Sequence, residues 1–289
     1  MYQGEFITLV HYYTGTLLMI MNLNYQIVGV LNATPDSYFD GGKFDQVESA
    51  VKRVGEMLAD GADIIDIGGE STGPGSQEVS PEEESRRVIP IIKAIKETYP
   101  DAKISIDTYK SQVAKEAINS GAVIVNDVTA GRGDPELFSV VALSDALIVL
   151  MYSKDDTART TIKDQKYDDV IATILSFLSE RKSAAVDAGI AEDRIIIDPG
   201  MGHFVSSDSS YSFKILAELE KFKKLNCPIY VSPSRKSFLA DPENLKAEDR
   251  LPGTIAASAL AVEHGATYIR THDVLDVRRG CETASRILE

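Results

Sequence analysis

Short runs of β-branched and aliphatic residues recur along this chain, and segments with helical spacing separate them. The runs are continuous rather than alternating, which is typical of strands buried on both faces of a parallel sheet. The eight runs are 26–31, 63–67, 103–106, 123–125, 147–150, 194–197, 228–231 and 267–269. Helical segments are predicted at 81–98 and 167–188, the first starting with the N-cap pattern Ser80-Pro81-Glu82-Glu83. Eight such units predict an α/β chain with a TIM (β/α)8 barrel.

A doubly wound open sheet is the alternative architecture. It ordinarily has fewer strand–helix units and a glycine-rich turn after its first strand. Here the first run leads into Asn32-Ala33-Thr34-Pro35-Asp36-Ser37, which contains no GxGxxG pattern. The sequence therefore favours the barrel, as a single domain over residues 26–289.

Residues 1–25 are predicted to be an N-terminal extension of the barrel. The apolar run 17–21 is too short for a signal peptide, and no Lys or Arg precedes Lys43. Two interpretations stay open: a strand or hairpin that closes the barrel floor, or a start codon upstream of Met19 or Met21.

Charge and cysteine content restrict the expected partners and compartment. The net charge of −14 argues against nucleic acid and against anionic membranes as partners. No segment reaches the length of a membrane span. The two cysteines indicate no disulfide framework, so we expect a cytoplasmic protein.

Polar residues follow nearly every predicted strand, at the end where TIM barrels place their active sites. In strand order they are Asn32, Glu70–Thr72, Asp107-Thr108, Asn126-Asp127, Met151-Tyr152, Asp198, Ser234–Lys236 and Arg270–Asp273. Each one alone could be a helix cap or a loop residue. Their common position at one rim predicts an enzyme.

The residue types suggest part of the chemistry. Arg235, Lys236, Arg270 and His272 follow strands 7 and 8, where TIM barrels often bind phosphate. Asn32 and Asp36 offer the hard oxygen ligands that Mg²⁺ prefers.

A second set of polar residues belongs in the apolar barrel mouth. Asp107, Asn126 and Asp198 suit a heterocycle that is rich in hydrogen-bond donors. For Asp198 a capping role in its Pro-Gly turn is the alternative. No HxH or HExxH spacing predicts zinc, and neither cysteine has the context of a nucleophile.

Taken together, these motifs resemble those of the dihydropteroate synthases. The resemblance covers residues 26–289 and rests on the order of several motifs. They are Val30–Tyr38 (VLNATPDSY), Asp66–Thr72 (DIGGEST), Ile106–Thr108, Asn126-Asp127, Asp198–Gly200, Ser234–Phe238 (SRKSF) and Arg270–Val274 (RTHDV).

The resemblance implies a reaction and a homodimer. The reaction joins 6-hydroxymethyl-7,8-dihydropterin pyrophosphate to p-aminobenzoate, with Mg²⁺, in an SN1-like step of folate biosynthesis. The implied pterin pocket consists of Asp107, Asn126, Met151, Asp198 and Lys236. Among these, Asp107, Asp198 and Lys236 would be catalytic.

The other two substrate groups have their own implied residues. Asn32, as Mg²⁺ ligand, with Arg270 and His272 would hold the pyrophosphate. The p-aminobenzoate site would be formed by Thr72, His203, Phe204, Ser234 and Arg235.

Two departures from the family pattern stand out. Gly73 replaces an arginine that usually contacts pyrophosphate or closes its loop. The loop after strand 6, Asp198–Ser207, is longer than usual and resembles the sulfonamide-resistant (Sul-type) branch. We therefore expect sulfonamide resistance through a clash at Phe204, with neutral sequence drift as the alternative. A pterin-dependent methyltransferase and a non-catalytic pterin-binding barrel are the alternative functions.

Overall fold

Eight parallel strands form the centre of the computed structural model, which describes residues 25–33 and 43–288. The strands are β1 (Gln26–Asn32), β2 (Ile64–Gly68), β3 (Lys103–Asp107), β4 (Ala122–Asp127), β5 (Leu147–Met151), β6 (Ile195–Asp198), β7 (Tyr230–Val231) and β8 (Tyr268–Thr271). Their order in the sheet is β6-β5-β4-β3-β2-β1-β8-β7. A parallel bridge between Ile197 and Ile229 joins the two edges. The predicted (β/α)8 barrel is therefore confirmed.

Within the described residues, eight α-helices lie between or after the strands. They are α1 (Lys43–Ala59), α2 (Pro81–Thr98), α3 (Ser111–Asn119), α4 (Leu137–Ala142), α5 (Val170–Asp187), α6 (Ser209–Ala217), α7 (Leu251–Glu263) and α8 (Val274–Leu288). The predicted start of α2 is confirmed, since Ser80 Oγ accepts from the Glu83 amide at 3.2 Å. Helix α5 begins later than predicted, because Asp169 caps its first turn by accepting from the amides of Ile171 and Ala172.

The barrel interior is built in layers. An apolar floor layer fills the centre, and it consists of Val28, Ile64, Ile124, Val149, Ile196, Tyr230 and Tyr268. Residues two positions further along a strand point to the same side. The next layer toward the carboxyl ends of the strands contains four polar residues. These are Asp66 above Ile64, Asn126 above Ile124, Asp198 above Ile196, and Arg270 above Tyr268. Strand alternation thus places a charged layer on an apolar floor.

Two sequence predictions fall outside the described residues. These are the extension before Tyr25 and the loop 34–42, which includes Asp36. None of the helices in the described part is long and apolar enough to cross a membrane.

Candidate active site

Arg270 links two carboxylates from different strands at the centre of the polar layer. Its Nε lies 2.6 Å from Asp66 Oδ2, and its Nη2 lies 2.7 Å from Asp107 Oδ2. Asn126 Nδ2 also donates to Asp66 Oδ2, at 3.1 Å. Asp66 is fully buried, so this network neutralises a charge that would otherwise be costly inside a protein.

The two carboxyl groups assigned to the pterin pocket have unusual acidities. Burial raises the pKa of Asp107 to about 7, although Arg270 opposes the shift. Burial likewise raises the pKa of Asp198 to about 6, against the charges of Lys236 and Arg270. Burial lowers the pKa of Lys236 to about 8, while Asp198 acts in the opposite direction. These three pKa values are therefore shifted toward neutral pH, as is common for ionisable groups in functional sites.

Asp198 also performs the turn-capping role considered from sequence. Its Oδ1 accepts from the Gly200 amide at 2.7 Å, and Gly200 has a positive φ of 71°. The carboxyl group is therefore held in place by its own turn while it faces Lys236 and Arg270.

An apolar wall borders the charged cluster. Phe204 packs against a small buried group formed by Val128, Met151 and Ala158. The Nζ atom of Lys236 lies 5.2 Å from the centroid of the Phe204 ring, a cation–π distance. Phe204, expected from sequence in the p-aminobenzoate site, therefore lies next to Met151 and Lys236, which were expected in the pterin pocket.

Ser234 and His272 meet at the ends of β7 and β8. Ser234 Oγ lies 3.0 Å from His272 Nδ1 and accepts from the His272 amide at 3.2 Å. Desolvation and the charge of Arg270 lower the pKa of His272, so its ring is neutral near pH 7 although part of it is open to solvent. His272 can therefore donate a hydrogen bond, but it adds no positive charge.

Arg235 is held by a network at the same rim. Its Nε and Nη2 lie 2.8 and 2.6 Å from the two carboxylate oxygens of Asp273. Its φ is +54°, a conformation that costs energy for a side chain with a Cβ. The Arg235 amide donates to Thr254 Oγ1 at 3.0 Å, and Arg250 donates to the Arg235 carbonyl at 2.9 Å. The two arginines predicted to bind anions, Arg235 and Arg270, are therefore both paired with carboxylates of the chain.

Thr72, His203 and Asn32 lie in the loops and at the rim. The Thr72 carbonyl accepts from the Thr160 amide at 3.1 Å. The His203 carbonyl accepts from Lys154 Nζ at 2.6 Å. Asn32 is exposed at the end of β1, beside the loop that lies outside the described residues.

Several buried ionic residues near the site were not identified from the sequence. Asp66 interrupts an apolar strand, and that interruption was the available signal. Lys110 pairs with Glu70 and Glu84, and its Nζ donates to the Val79 carbonyl at 2.6 Å. These contacts join residues distant in the chain, and no local pattern marks them.

Arg159 lies close to the loop in which Gly73 stands where the resemblance led us to expect an arginine. It pairs with Glu70 and donates to the Gln77 carbonyl at 3.3 Å. A guanidinium group from another loop thus lies beside the segment that carries Thr72.

The donor set is suited to a Mg²⁺ ion shared with phosphate. Among residues 25–33 and 43–288, no group of three or more His, Cys, Asp or Glu side chains is arranged to hold a metal. Mg²⁺ commonly takes few protein ligands and completes its shell with water and phosphate oxygens. The exposed amide oxygen of Asn32 fits such a single protein contact.

Comparison with known proteins identifies the family. Residues 28–272 match the family described as pterin binding enzyme. A dihydropteroate synthase of Clostridium beijerinckii is 41% identical over 263 residues, which is 91% of this chain and 94% of that protein. A Xanthomonas albilineans dihydropteroate synthase solved with 4-aminobenzoic acid has a TM-score of 0.84 at 37% identity, covering 91% of this chain and 93% of that one.

A second solved structure gives the same result. A dihydropteroate synthase from Clostridium difficile, determined in the presence of pteroic acid, has a TM-score of 0.85 at 36% identity. The alignment covers 93% of this chain and 99% of that one. The chain therefore belongs to the dihydropteroate synthases, a family of transferases.

Proposed function

We propose that this protein condenses 6-hydroxymethyl-7,8-dihydropterin pyrophosphate with p-aminobenzoate to give 7,8-dihydropteroate and pyrophosphate, a step of folate biosynthesis. The observation that carries the proposal is the charged layer above the barrel floor, where Arg270 links Asp107 to the Asp66–Asn126 pair and Asp198 faces Lys236 and Arg270. Relatives solved with 4-aminobenzoic acid and with pteroic acid support the substrate class.

The pocket matches the edge of a pterin. A dihydropterin ring carries several N–H donors and a few acceptors, so carboxylates and an amide on one side and an ammonium on the other complement it. Asp107 and Asp198 accept hydrogen bonds from the ring, and Lys236 donates one to it. The Asn126 amide can donate and accept. Met151 supplies apolar surface for a face of the ring.

The proposed reaction breaks a C–O bond and forms a C–N bond. The electron pair of the C–O bond leaves with pyrophosphate, and positive charge develops on the methylene carbon and spreads into the pterin. Carboxylates at Asp107 and Asp198 stabilise that charge. The lone pair of the neutral aniline nitrogen then attacks the methylene carbon, and the nitrogen releases a proton to water. No strong general base is required.

Pyrophosphate leaves toward the rim in this proposal. Asn32 would hold Mg²⁺, which supplies charge neutralisation for the leaving group when bound. His272 donates a hydrogen bond to the pyrophosphate. Arg270, paired with Asp66 and Asp107, adds positive charge at the base of the pocket.

The p-aminobenzoate site is proposed between three loops. Thr72 lies on the first, His203 and Phe204 on the second, and Ser234 with Arg235 on the third. Arg235 shapes this region through its ion pair with Asp273.

Turnover tests the proposal. Purified protein with pterin pyrophosphate, p-aminobenzoate and Mg²⁺ is expected to form dihydropteroate, and Lys236→Met is expected to lower kcat/KM at least about 100-fold. Calorimetric pterin binding without turnover would instead support the non-catalytic barrel. Methyl transfer from a methylated pterin would support the methyltransferase.

Sulfonamide resistance is proposed as a property of this activity. The comparisons identify the family and not a branch within it. What supports resistance is the long loop after β6 and the position of Phe204, whose ring stands beside Lys236 at the pocket wall. A drug that extends beyond the p-aminobenzoate ring would meet this side chain.

We also propose a homodimer formed through the later helices. Phe213 on α6 and Leu260 on α7 are large apolar side chains that are 45% and 55% exposed, and they offer apolar surface for such a contact. Light scattering after size exclusion tests the dimer directly, and a monomer at all concentrations would exclude it.

A further inference from the structure

Thr160 touches two of the three loops that carry the proposed p-aminobenzoate residues. Three segments are involved: the β2–α2 segment (69–80), the β5–α5 segment (152–169) and the β6–α6 segment (199–208). Thr160 lies in the middle segment and is 3% exposed. Its amide donates to the Thr72 carbonyl at 3.1 Å, and its hydroxyl, which carries a single proton, lies 2.8 Å from the His203 carbonyl and 3.0 Å from Asp155 Oδ2. One buried residue thus fixes a backbone atom on either side of the cleft.

Lys154 strengthens the contact with the β6–α6 segment. Its Nζ donates to Thr160 Oγ1 at 3.1 Å and to the His203 carbonyl at 2.6 Å. Its backbone amide donates to the Phe204 carbonyl at 2.9 Å. The side chain of Lys154 is almost fully buried, at 2% exposure. Buried hydrogen bonds of this kind hold a loop in one conformation, because breaking any of them leaves a charged or polar group without a partner.

On the other side, the β5–α5 segment holds the β2–α2 segment at more than one point. Arg159 pairs with Glu70 and donates to the Gln77 carbonyl at 3.3 Å. Glu70 is in turn held by the buried Lys110. The side carrying Thr72 is therefore already fixed by ionic contacts, whereas the contact with His203 depends on the hydroxyl of Thr160 and on Lys154.

We propose that Thr160 is a positioning residue that sets the width of the p-aminobenzoate cleft. It touches no substrate itself. It holds Thr72 on one wall at a fixed distance from His203 and Phe204 on the other, through Lys154 and its own hydroxyl. The inference rests on the proposed function, since it assumes that p-aminobenzoate lies between these loops. The pterin pocket is built on strand residues and Lys236, none of which is hydrogen-bonded to Thr160, so the hydroxyl affects p-aminobenzoate and leaves pterin binding intact.

The test replaces the Thr160 hydroxyl with a methyl group and keeps the branched shape of the side chain. Thr160→Val in the full chain is expected to raise KM for p-aminobenzoate about five- to tenfold, the effect of losing one buried hydrogen bond. The Kd of the pterin substrate, measured by calorimetry, is expected to change less than about twofold, and Thr160→Ser is expected to restore KM to within about twofold. Thr267→Val is the matched control, because that hydroxyl donates to the Ile229 carbonyl at 3.1 Å, at the start of β8.

Each other outcome has a defined meaning. An unchanged KM in Thr160→Val would overturn the inference, and so would an equal loss of pterin affinity, which indicates a general structural role. If Thr160→Val does not fold, Thr160→Ala takes its place, because the smaller alanine side chain cannot clash with its neighbours. The same result is expected for it: a higher KM for p-aminobenzoate and an unchanged Kd for the pterin substrate. Failure of both to fold would assign the hydroxyl to folding and overturn the inference. A folded wild type that forms no dihydropteroate would refute the proposed function itself.

Discussion

The Nε atom of Arg270 lies 2.6 Å from Oδ2 of Asp66, although the two residues are 204 positions apart in the chain. Asp66 is fully buried on β2, and Arg270 extends from β8 across the floor of the pocket. The pair belongs to the structural support of the site, because Arg270 also holds Asp107. A buried charge can persist only where such partners are fixed.

Removing the charge of Asp66 is expected to destabilise the fold. Asp66→Asn should lower the free energy of unfolding by about 3 kcal/mol, since it leaves a buried guanidinium group with one carboxylate instead of two. Urea unfolding measures this change. Glu56→Gln is the control, because it breaks an exposed pair with Arg53 at 3.1 Å and should cost less than about 1 kcal/mol. Equal losses in the two variants would contradict the assigned role of Asp66.

The strands and the rim of the site could be predicted from the sequence because they depend on local patterns. Continuous apolar runs mark strands buried on both faces, and polar residues directly after such runs lie at one end of a barrel. The contacts of Lys110, Lys154 and Thr160 could not be predicted in this way. Each depends on how separate loops approach one another, and a buried lysine has no sequence signature that distinguishes it from an exposed one.

The stability of the fold is expected to depend on pH through Asp198. An unfolded Asp has a pKa of about 3.9, whereas burial raises the folded pKa of Asp198 to about 6. Between these values the folded carboxyl keeps a proton that the unfolded one has lost. The folded state then binds more protons, so its stability falls as pH rises, by up to about 1.4 kcal/mol per pH unit. Asp107 acts in the same direction up to about pH 7.

Asp198→Asn isolates this contribution. The amide does not titrate and keeps an oxygen for the Gly200 amide, so the variant should lose less stability than the wild type between pH 4.5 and 6. Urea unfolding at several pH values gives the two slopes. The exposed Asp101→Asn is the control and should follow the wild type. Parallel curves for Asp198→Asn and the wild type would show that Asp198 ionises normally in the folded protein.

Arg235→Lys is expected to affect p-aminobenzoate more than the pterin. Arg235 contacts both oxygens of Asp273 and the carbonyls of Ala247 and Glu248, a fork geometry that lysine cannot reproduce. We expect kcat/KM for p-aminobenzoate to fall about tenfold, corresponding to about 1.4 kcal/mol. Steady-state kinetics measure this value, with calorimetry for the pterin. The exposed Arg279→Lys should be neutral. A similar drop in pterin affinity would assign Arg235 to the pterin pocket instead.

Phe204→Gly tests the proposed resistance to sulfonamides. The ring lies between the apolar wall and Lys236, and a drug that extends past the p-aminobenzoate outline would overlap it. Removing the ring should lower the inhibition constant of a sulfonamide at least about tenfold, since one steric contact readily contributes 1.4 kcal/mol of discrimination. KM for p-aminobenzoate should change less than about threefold, because that smaller substrate borders the Phe204 ring without overlapping it. Leu143→Ala is the control, because that apolar side chain is 91% exposed after α4 and belongs neither to the site nor to the proposed dimer surface. An unchanged inhibition constant in Phe204→Gly would leave the longer loop without a role in drug discrimination.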